Sequence, residues 1–296
     1  ALKPGEVLLL ENLRFHAGEE KGDMDFAKAL AKLGQVYVND AFGTAHRPHA
    51  SVSGLPAVMG ACCGGLLLKK EWQFLGAALE NPVRPYVAVT GGAKVSSKLA
   101  VLTHLLGKVD ALIIGGAMAN TFLKAKGLEV GKSLVEDNLL DEARSIMEKA
   151  AAKGVRLALP VDFVISRDAG LPLDQMTAAG LCDAASIPAD AMVLDIGPRS
   201  QALFAQVLAP AKTVVWNGPM GAFENPAFAA GTMAVAKTLS ELDATTVIGG
   251  GDTDAAVHAS GLAGRMSFIS TGGGASLEFM EGKELPAFKA LRECGK

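Results

Sequence analysis

From residue 85 onward, seven short β-rich apolar runs recur: PYVAVTGG, DALIIGGA, RLALPVDFVI, AMVLDIGP, KTVVWNGPMG, TTVIGGGD and MSFISTGGG. All but one have glycine at or one residue before the end. Segments of helical period separate them, such as Val95, Leu99, Leu102 and Leu106, stopped by Gly107, and Leu139, Ala143, Met147 and Ala150, stopped by Gly154. Continuous apolar strands alternating with helices predict an α/β fold built on a parallel, doubly wound, Rossmann-like sheet, because such strands are buried on both faces.

The first 50 residues repeat the pattern on a smaller scale: a strand in EVLLLEN, a helix through Phe26, Leu30 and Leu33, and a strand in QVYVND. Two strands make no stable domain. This region is expected to be the end of a second α/β domain whose opening strands are absent, and the first residue, Ala rather than Met, fits a chain cut upstream. The helical stretch LLLKKEWQFLGAALENP, halted by Pro82, is expected to join the two domains.

The 28 basic and 31 acidic side chains are interspersed, giving a net charge of −3 and no footprint for nucleic acid. Cys62, Cys63, Cys182 and Cys294 show no CxxC spacing, so neither a zinc site nor a disulfide framework is expected, and a reducing compartment, the cytoplasm, fits best. The uncharged stretch SVSGLPAVMGACCGGLLL has four glycines, two serines and a proline, so it is read as a buried segment rather than a membrane span.

In an open parallel sheet, ligands bind beyond the carboxyl ends of the strands, where these glycines sit. Without Cβ, Gly249, Gly250 and Gly251 let N–H groups approach an anion, and the helix starting near Asp252 adds its positive end. STGGGAS, residues 270–276, has the same order of strand, glycines and helix. Tight turning between strand and helix explains either loop alone; their repetition suits a polyphosphate. In GGAKVSSK, Lys94 is expected at a helix N-terminus, where a cation is unfavourable unless an anion shares the site, with Lys98 on the same face; solvated surface lysines are the alternative. Asp252 reads either as an N-cap or as a ligand for nucleotide-bound Mg²⁺, and Glu224 either as a first-turn acid or as an acceptor for ribose hydroxyls. Arg14 and Arg47 each follow a β-like run and read either as surface ion pairs or as a joint cradle for carboxylate or phosphate. GLEVGKS lacks the Walker A spacing, and no GxGxxG follows the first strand of the sheet.

Taken together, LLLENLRF, NDAFGTAHR, GGAKVSSK, IIGGAMANTFLKAKG, VVWNGPMGAFE, IGGGDT and STGGGASLEFMEGKELP closely resemble phosphoglycerate kinase, in order and nearly end to end. The resemblance implies a monomeric, hinge-bending enzyme of glycolysis, with neither membrane nor nucleic acid among its partners. It transfers a phosphoryl group between 1,3-bisphosphoglycerate and ADP, giving 3-phosphoglycerate and ATP, with Mg²⁺ carried on the nucleotide. It also implies domains: residues 1–65 the end of the phosphoglycerate-binding domain, 66–82 an interdomain helix, 83–283 the nucleotide-binding domain, and 284–296 a tail returning toward the first.

By motif, Lys94 is similar to the lysine that stabilises the transferring phosphoryl group, and Gly251 and Gly273 share that catalytic role. Lys98, Gly250, Gly251, Asp252 and Thr253 match nucleotide-phosphate ligands, Asp252 being the magnesium-associated acid. Gly272, Gly273 and Gly274 match the second glycine loop, Pro219 matches a nucleotide-binding position, and Glu224 matches the ribose ligand. Val193 stands where the family commonly has glycine beside adenine. Arg14 and Arg47 match two arginines that hold phosphoglycerate. The family carries further chain ahead of this start, with a catalytic arginine and a loop for the glycerate hydroxyl, and its usual C-terminal ending differs from FKALRECGK. A nucleotide-binding module without turnover is therefore the second reading, and an oxidoreductase on the same sheet a third.

Overall fold

The computed structural model of the chain describes residues 2–295. It divides into two compact units, Ala1–Glu71 with Lys283–Lys296, and Trp72–Gly282.

The first unit contains the short helix α1 (Ala17–Glu20), α2 (Met24–Ala31), β1 (Tyr37–Asn39), α3 (Leu55–Val58) and β2 (Cys62–Gly64), and the division falls inside α4 (Leu66–Glu80). Asp23 caps α2, accepting from the Asp25 and Phe26 N–H groups. β1 and β2 pair in parallel. Between them a single π turn, Ala50–Gly54, is held by the buried Glu19, whose carboxylate accepts from Ser51 N–H at 3.0 Å and from Ser51 Oγ. The last helix, Pro286–Glu293, is anchored by Ala287 N–H donating to Ala45 O and by Phe288 packing on Phe42, ring centroids 6.3 Å apart.

Two expectations for this unit are corrected. EVLLLEN forms no strand: Val7 and Leu9 are 91% and 92% exposed, because no described strand lies alongside to pair with them. Cys62 and Cys294 are joined by a disulfide with Cα atoms 6.1 Å apart, so a pairing does exist. Its partners stand 232 residues apart in sequence, a separation no local cysteine spacing reveals. The apolar stretch at residues 51–68 is broken into the π turn, α3 and β2, and among the described residues no helix is long and apolar enough to cross a membrane.

The second unit runs β3 (Tyr86–Thr90), α5 (Leu99–Leu105), β4 (Ala111–Ile114), α6 (Met118–Ala125), α7 (Leu140–Ala152), β5 (Arg156–Ala158), β6 (Asp162–Ser166), β7 (Gly180–Asp183), β8 (Met192–Ile196), α8 (Pro198–Leu208), β9 (Thr213–Asn217), α9 (Ala230–Glu241), β10 (Thr245–Gly249), α10 (Gly251–Ala259), β11 (Phe268–Ile269) and α11 (Gly273–Met280). Six strands form one wholly parallel sheet in the order β11-β10-β9-β3-β4-β5. Every residue of β3, β4 and β9 is buried, as strands covered on both faces require. Trp216, Tyr86, Phe122, Phe163, Phe204 and Phe228 are the large aromatic side chains buried in this unit.

The α/β class and the parallel sheet are as the sequence predicts, with one change of membership. RLALPVDFVI is two strands in two sheets: Pro160, lacking an N–H, ends β5, and the chain resumes as β6 in a separate antiparallel sheet, β7-β6-β8. The AMVLDIGP run belongs to this second sheet as β8 rather than to the parallel one.

Candidate active site

The glycine loops lie at the carboxyl ends of adjacent strands, β10 and β11. Gly250 takes φ +92° and is the N-cap of α10, a conformation that favours glycine, and a Cβ there would stand 3.0 Å from Asn217 Nδ2. Asp254 N–H bonds back to Gly250 O, so the N–H groups of Gly251, Asp252 and Thr253 lie ahead of the first closed turn of the helix. In α11, capped by Gly272, Ser276 N–H bonds back to Gly272 O, leaving those of Gly273, Gly274 and Ala275 ahead. A Cβ on Gly273 would stand 3.4 Å from the Gly251 nitrogen, so the two helix N-termini meet. Two positive dipole ends on one spot favour a ligand with more than one negative group.

Lys98 and Asp252 flank this point. Lys98 Nζ donates to Asn217 O at 3.3 Å. Burial pushes its pKa down to about 8, against the opposing attraction of the Asp252 carboxylate. Asp252 itself is exposed, in the first turn of α10. It is not the N-cap, a place Gly250 fills because the positive φ there suits glycine. Thr253 is fully buried, and its Oγ1 accepts from Gly218 N–H at 2.6 Å, tying the helix start to the loop after β9.

Lys94 departs from expectation. α5 begins only at Leu99, so Lys94 and Lys98 share no helical face, and Val95 precedes the helix. The local reason is the serine pair: Ser97 Oγ donates to Lys94 O, while Ser96 N–H and Oγ both donate to the Glu136 carboxylate, at 3.0 and 2.5 Å. Lys94 is exposed in this loop and forms no ion pair among the described residues.

A cavity of about 220 Å³ opens beside the loops, lined by Val193, Pro219, Glu224 and Asp252 among others. It therefore gathers four of the expected residues. Val193 is buried on β8 and its N–H donates to Ser133 Oγ at 2.9 Å. Glu224 is exposed and precedes the Asn225 cap of a short 3₁₀ turn, so it is not a first-turn acid. A larger cavity, about 740 Å³ beside β5, is lined by none of the expected site residues.

Within the first unit, Arg14 lies on the 3₁₀ turn Leu13–Phe15 and reaches Glu20 at 3.9 Å, while Arg47 is exposed and without an ion pair among the described residues. Among the described residues no cluster of three or more His, Cys, Asp or Glu is placed to hold a metal.

Sequence reasoning missed two residues. Asn217, at the end of β9, accepts from both Lys98 Nζ and Gly91 N–H and lies under Gly250. Its signal was a polar residue closing an otherwise apolar strand. Asp195, an acid inside the apolar run of β8, is buried beside the cavity.

Comparison with known proteins meets this geometry from outside. The sequence model of the family described as phosphoglycerate kinase matches residues 1–283. A phosphoglycerate kinase of Maridesulfovibrio salexigens is 58% identical over 299 residues, covering 99% of this chain and 74% of the relative. That of Desulfosudis oleivorans is 56% identical over 290 residues, covering 98% and 72%. Among solved structures, the phosphoglycerate kinase of Coxiella burnetii has a TM-score of 0.93 at 46% identity, covering 100% of this chain and 75% of its own. The enzyme of Pyrococcus horikoshii OT3 has a TM-score of 0.82 at 35% identity, covering 98% and 74%. Identities of this size over nearly the whole chain, on a sheet whose glycine loops converge, place the chain in the phosphoglycerate kinase family.

Proposed function

We propose that this chain transfers a phosphoryl group reversibly between 1,3-bisphosphoglycerate and ADP, giving 3-phosphoglycerate and ATP, and that the converging N-termini of α10 and α11 receive the nucleotide phosphates. The observation that carries the site is the approach of Gly273 to the Gly251 nitrogen, with Lys98 and Asp252 alongside.

In this reading the adenosine end enters the cavity at Val193, Pro219 and Glu224, where the Glu224 carboxylate accepts from ribose hydroxyls. The N–H groups ahead of the first turns, with Lys98, hold the phosphates. Lys94, exposed and with the Glu136 carboxylate as its charged neighbour, is free to follow the phosphoryl group as its charge spreads over the equatorial oxygens. The acceptor is a carboxylate already ionised at neutral pH, so no general base is needed and positioning and charge do the catalysis. Arg14 and Arg47 in the first unit are the phosphoglycerate ligands.

Asp252 fits Mg²⁺ in donor chemistry: one exposed carboxylate, with no protein cage around it, matches a cation that keeps waters and is held largely by the phosphates. When bound, the ion neutralises phosphate charge. The inactive-module and oxidoreductase readings gain nothing from the family match.

A coupled assay of phosphoglycerate-dependent ATP consumption by the purified chain tests the proposal. Turnover that needs both substrates is expected. Mg-ADP binding without turnover would instead establish the nucleotide-binding module.

A further inference from the structure

Asp195 takes no part in the chemistry described above, yet it is among the most completely buried acids in the second unit, 1% exposed at the cavity wall. Its two oxygens have distinct partners. Oδ2 accepts from Gly231 N–H at 2.7 Å, in the first turn of α9, and Oδ1 accepts from Ile196 N–H at 2.8 Å. The positive end of α9 thus faces the carboxylate. Gly221 and Gly231 close around it, and a Cβ at either would overlap Oδ1.

From this carboxylate a short bonded path leads to the cavity. Gly231 is followed by the buried Thr232, whose Oγ1 accepts from Met220 N–H at 3.0 Å, and Ala222 N–H donates to Leu194 O at 2.8 Å. Met220 and Ala222 belong to the loop after β9 that carries Pro219 and Glu224. The loop's outer contacts follow the same frame: Gly92 N–H donates to Pro219 O and Gly116 N–H to Met220 O.

We infer that Asp195 is a positioning residue for the adenosine side of the nucleotide site, holding the start of α9 and, through Thr232, the loop that bears Pro219 and Glu224. The inference rests on the nucleotide reading above. It assigns the carboxylate to the wall of the cavity, bonded directly to α9 and β8, while α10 meets the same loop one step further off, through Thr253 Oγ1 and Gly218 N–H.

Burial pushes the Asp195 pKa up to about 7, opposed by its two N–H donors. The ionisable groups on the elements packed around it are Asp162 on β6, Glu224 on the loop, and Lys237 and Glu241 on α9. None of them contributes to the shift. The ionised carboxylate accepts both bonds, and protonation turns one oxygen into a donor facing an N–H.

The test uses calorimetry on the full chain with three probes, adenosine, Mg-ADP and inorganic tripolyphosphate, for the wild type, Asp195→Asn and Asp195→Ala. Both variants should weaken adenosine and Mg-ADP about tenfold, a change of about 1.4 kcal/mol, while tripolyphosphate affinity stays within about twofold. Adenosine binds more weakly to the wild type as pH falls through about 7, and Asp195→Asn removes that dependence, because adenosine itself does not titrate there. If wild type binds neither adenosine nor Mg-ADP, the nucleotide reading is wrong. If wild type binds and Asp195→Asn, folded by circular dichroism, binds adenosine equally well with the same pH profile, the inference about Asp195 is overturned. Equal loss for all three probes also overturns it, by showing a general loss of structure. Should Asp195→Ala not fold, Asp195→Asn and the wild-type pH profile decide alone.

Discussion

The ammonium of Lys98 donates to the main-chain carbonyl of Asn217 at 3.3 Å, and the same oxygen accepts from Gly91 N–H at 3.0 Å. One acceptor at the end of β9 thereby holds a cation at the mouth of two helix N-termini and also fixes the turn after β3. With its pKa lowered to about 8, Lys98 is charged at neutral pH and loses its proton as pH rises through that value. Mg-ADP affinity should fall by about tenfold between about pH 7 and about pH 9. Calorimetry across that range checks it, and Lys98→Met should bind weakly and evenly throughout. A wild-type profile as flat as the variant's would remove Lys98 from the phosphate site.

Lys94→Ala should reduce turnover by about 10²–10³-fold while leaving the Mg-ADP dissociation constant within about threefold. The loop carrying Lys94 is tied down by Ser96 and Ser97 and not by the lysine itself, so its removal disturbs no described ion pair. Steady-state kinetics beside calorimetry separates the two quantities. Unchanged turnover with weakened binding would make Lys94 a phosphate clamp.

Thr253→Val should destabilise the second unit by about 1–3 kcal/mol, because it leaves the buried Gly218 N–H without its acceptor. Thr253→Ser, which restores the oxygen, should recover most of that loss. Thermal denaturation of both variants is the measurement. A valine variant as stable as wild type but defective in nucleotide binding would place the hydroxyl on the ligand instead.

Thiol titration of the denatured protein, prepared without reductant, should find the two free cysteines, Cys63 and Cys182, and reduction should reveal Cys62 and Cys294 as well. Cys294→Ser should lower the stability of the oxidised protein by about 2–4 kcal/mol. Four reactive thiols before reduction would show that the bond does not form in the source of the protein, in keeping with the reducing compartment expected from the sequence.

What was legible in the sequence was legible because the signal is local. Glycine at Gly250 marks a backbone turn that φ +92° requires, and apolar runs mark strands covered on both faces, so the parallel sheet and its loops could be read residue by residue. The failures share the opposite property. Pro160 stood inside a run whose apolar character continued past it, and only the pairing partners show that the chain changed sheets there. Lys94 looked helical until Glu136, far along the chain, bonded Ser96 and held the loop open. The Cys62–Cys294 bond and the acceptor role of Asn217 likewise depend on contacts between distant segments.

The parallel pairing of β3 with β9 sets a timetable for synthesis. Thr90 lies opposite Asn217, and the turns that follow both strands bond to each other through Gly91 N–H and Asn217 O and through Gly92 N–H and Pro219 O. While the ribosome is still making the long stretch between them, β3 can pair with β4 but its other edge has no neighbour. The pocket wall at Pro219 is consequently a late event in the life of the nascent chain, arriving only when β9 pairs with the open edge of β3, before β10 joins β9 in turn. A stalled polypeptide that ends before β9 carries Lys98 with no Asn217 carbonyl to hold it, and chaperones meet a half-sheet whose open edge is its central strand.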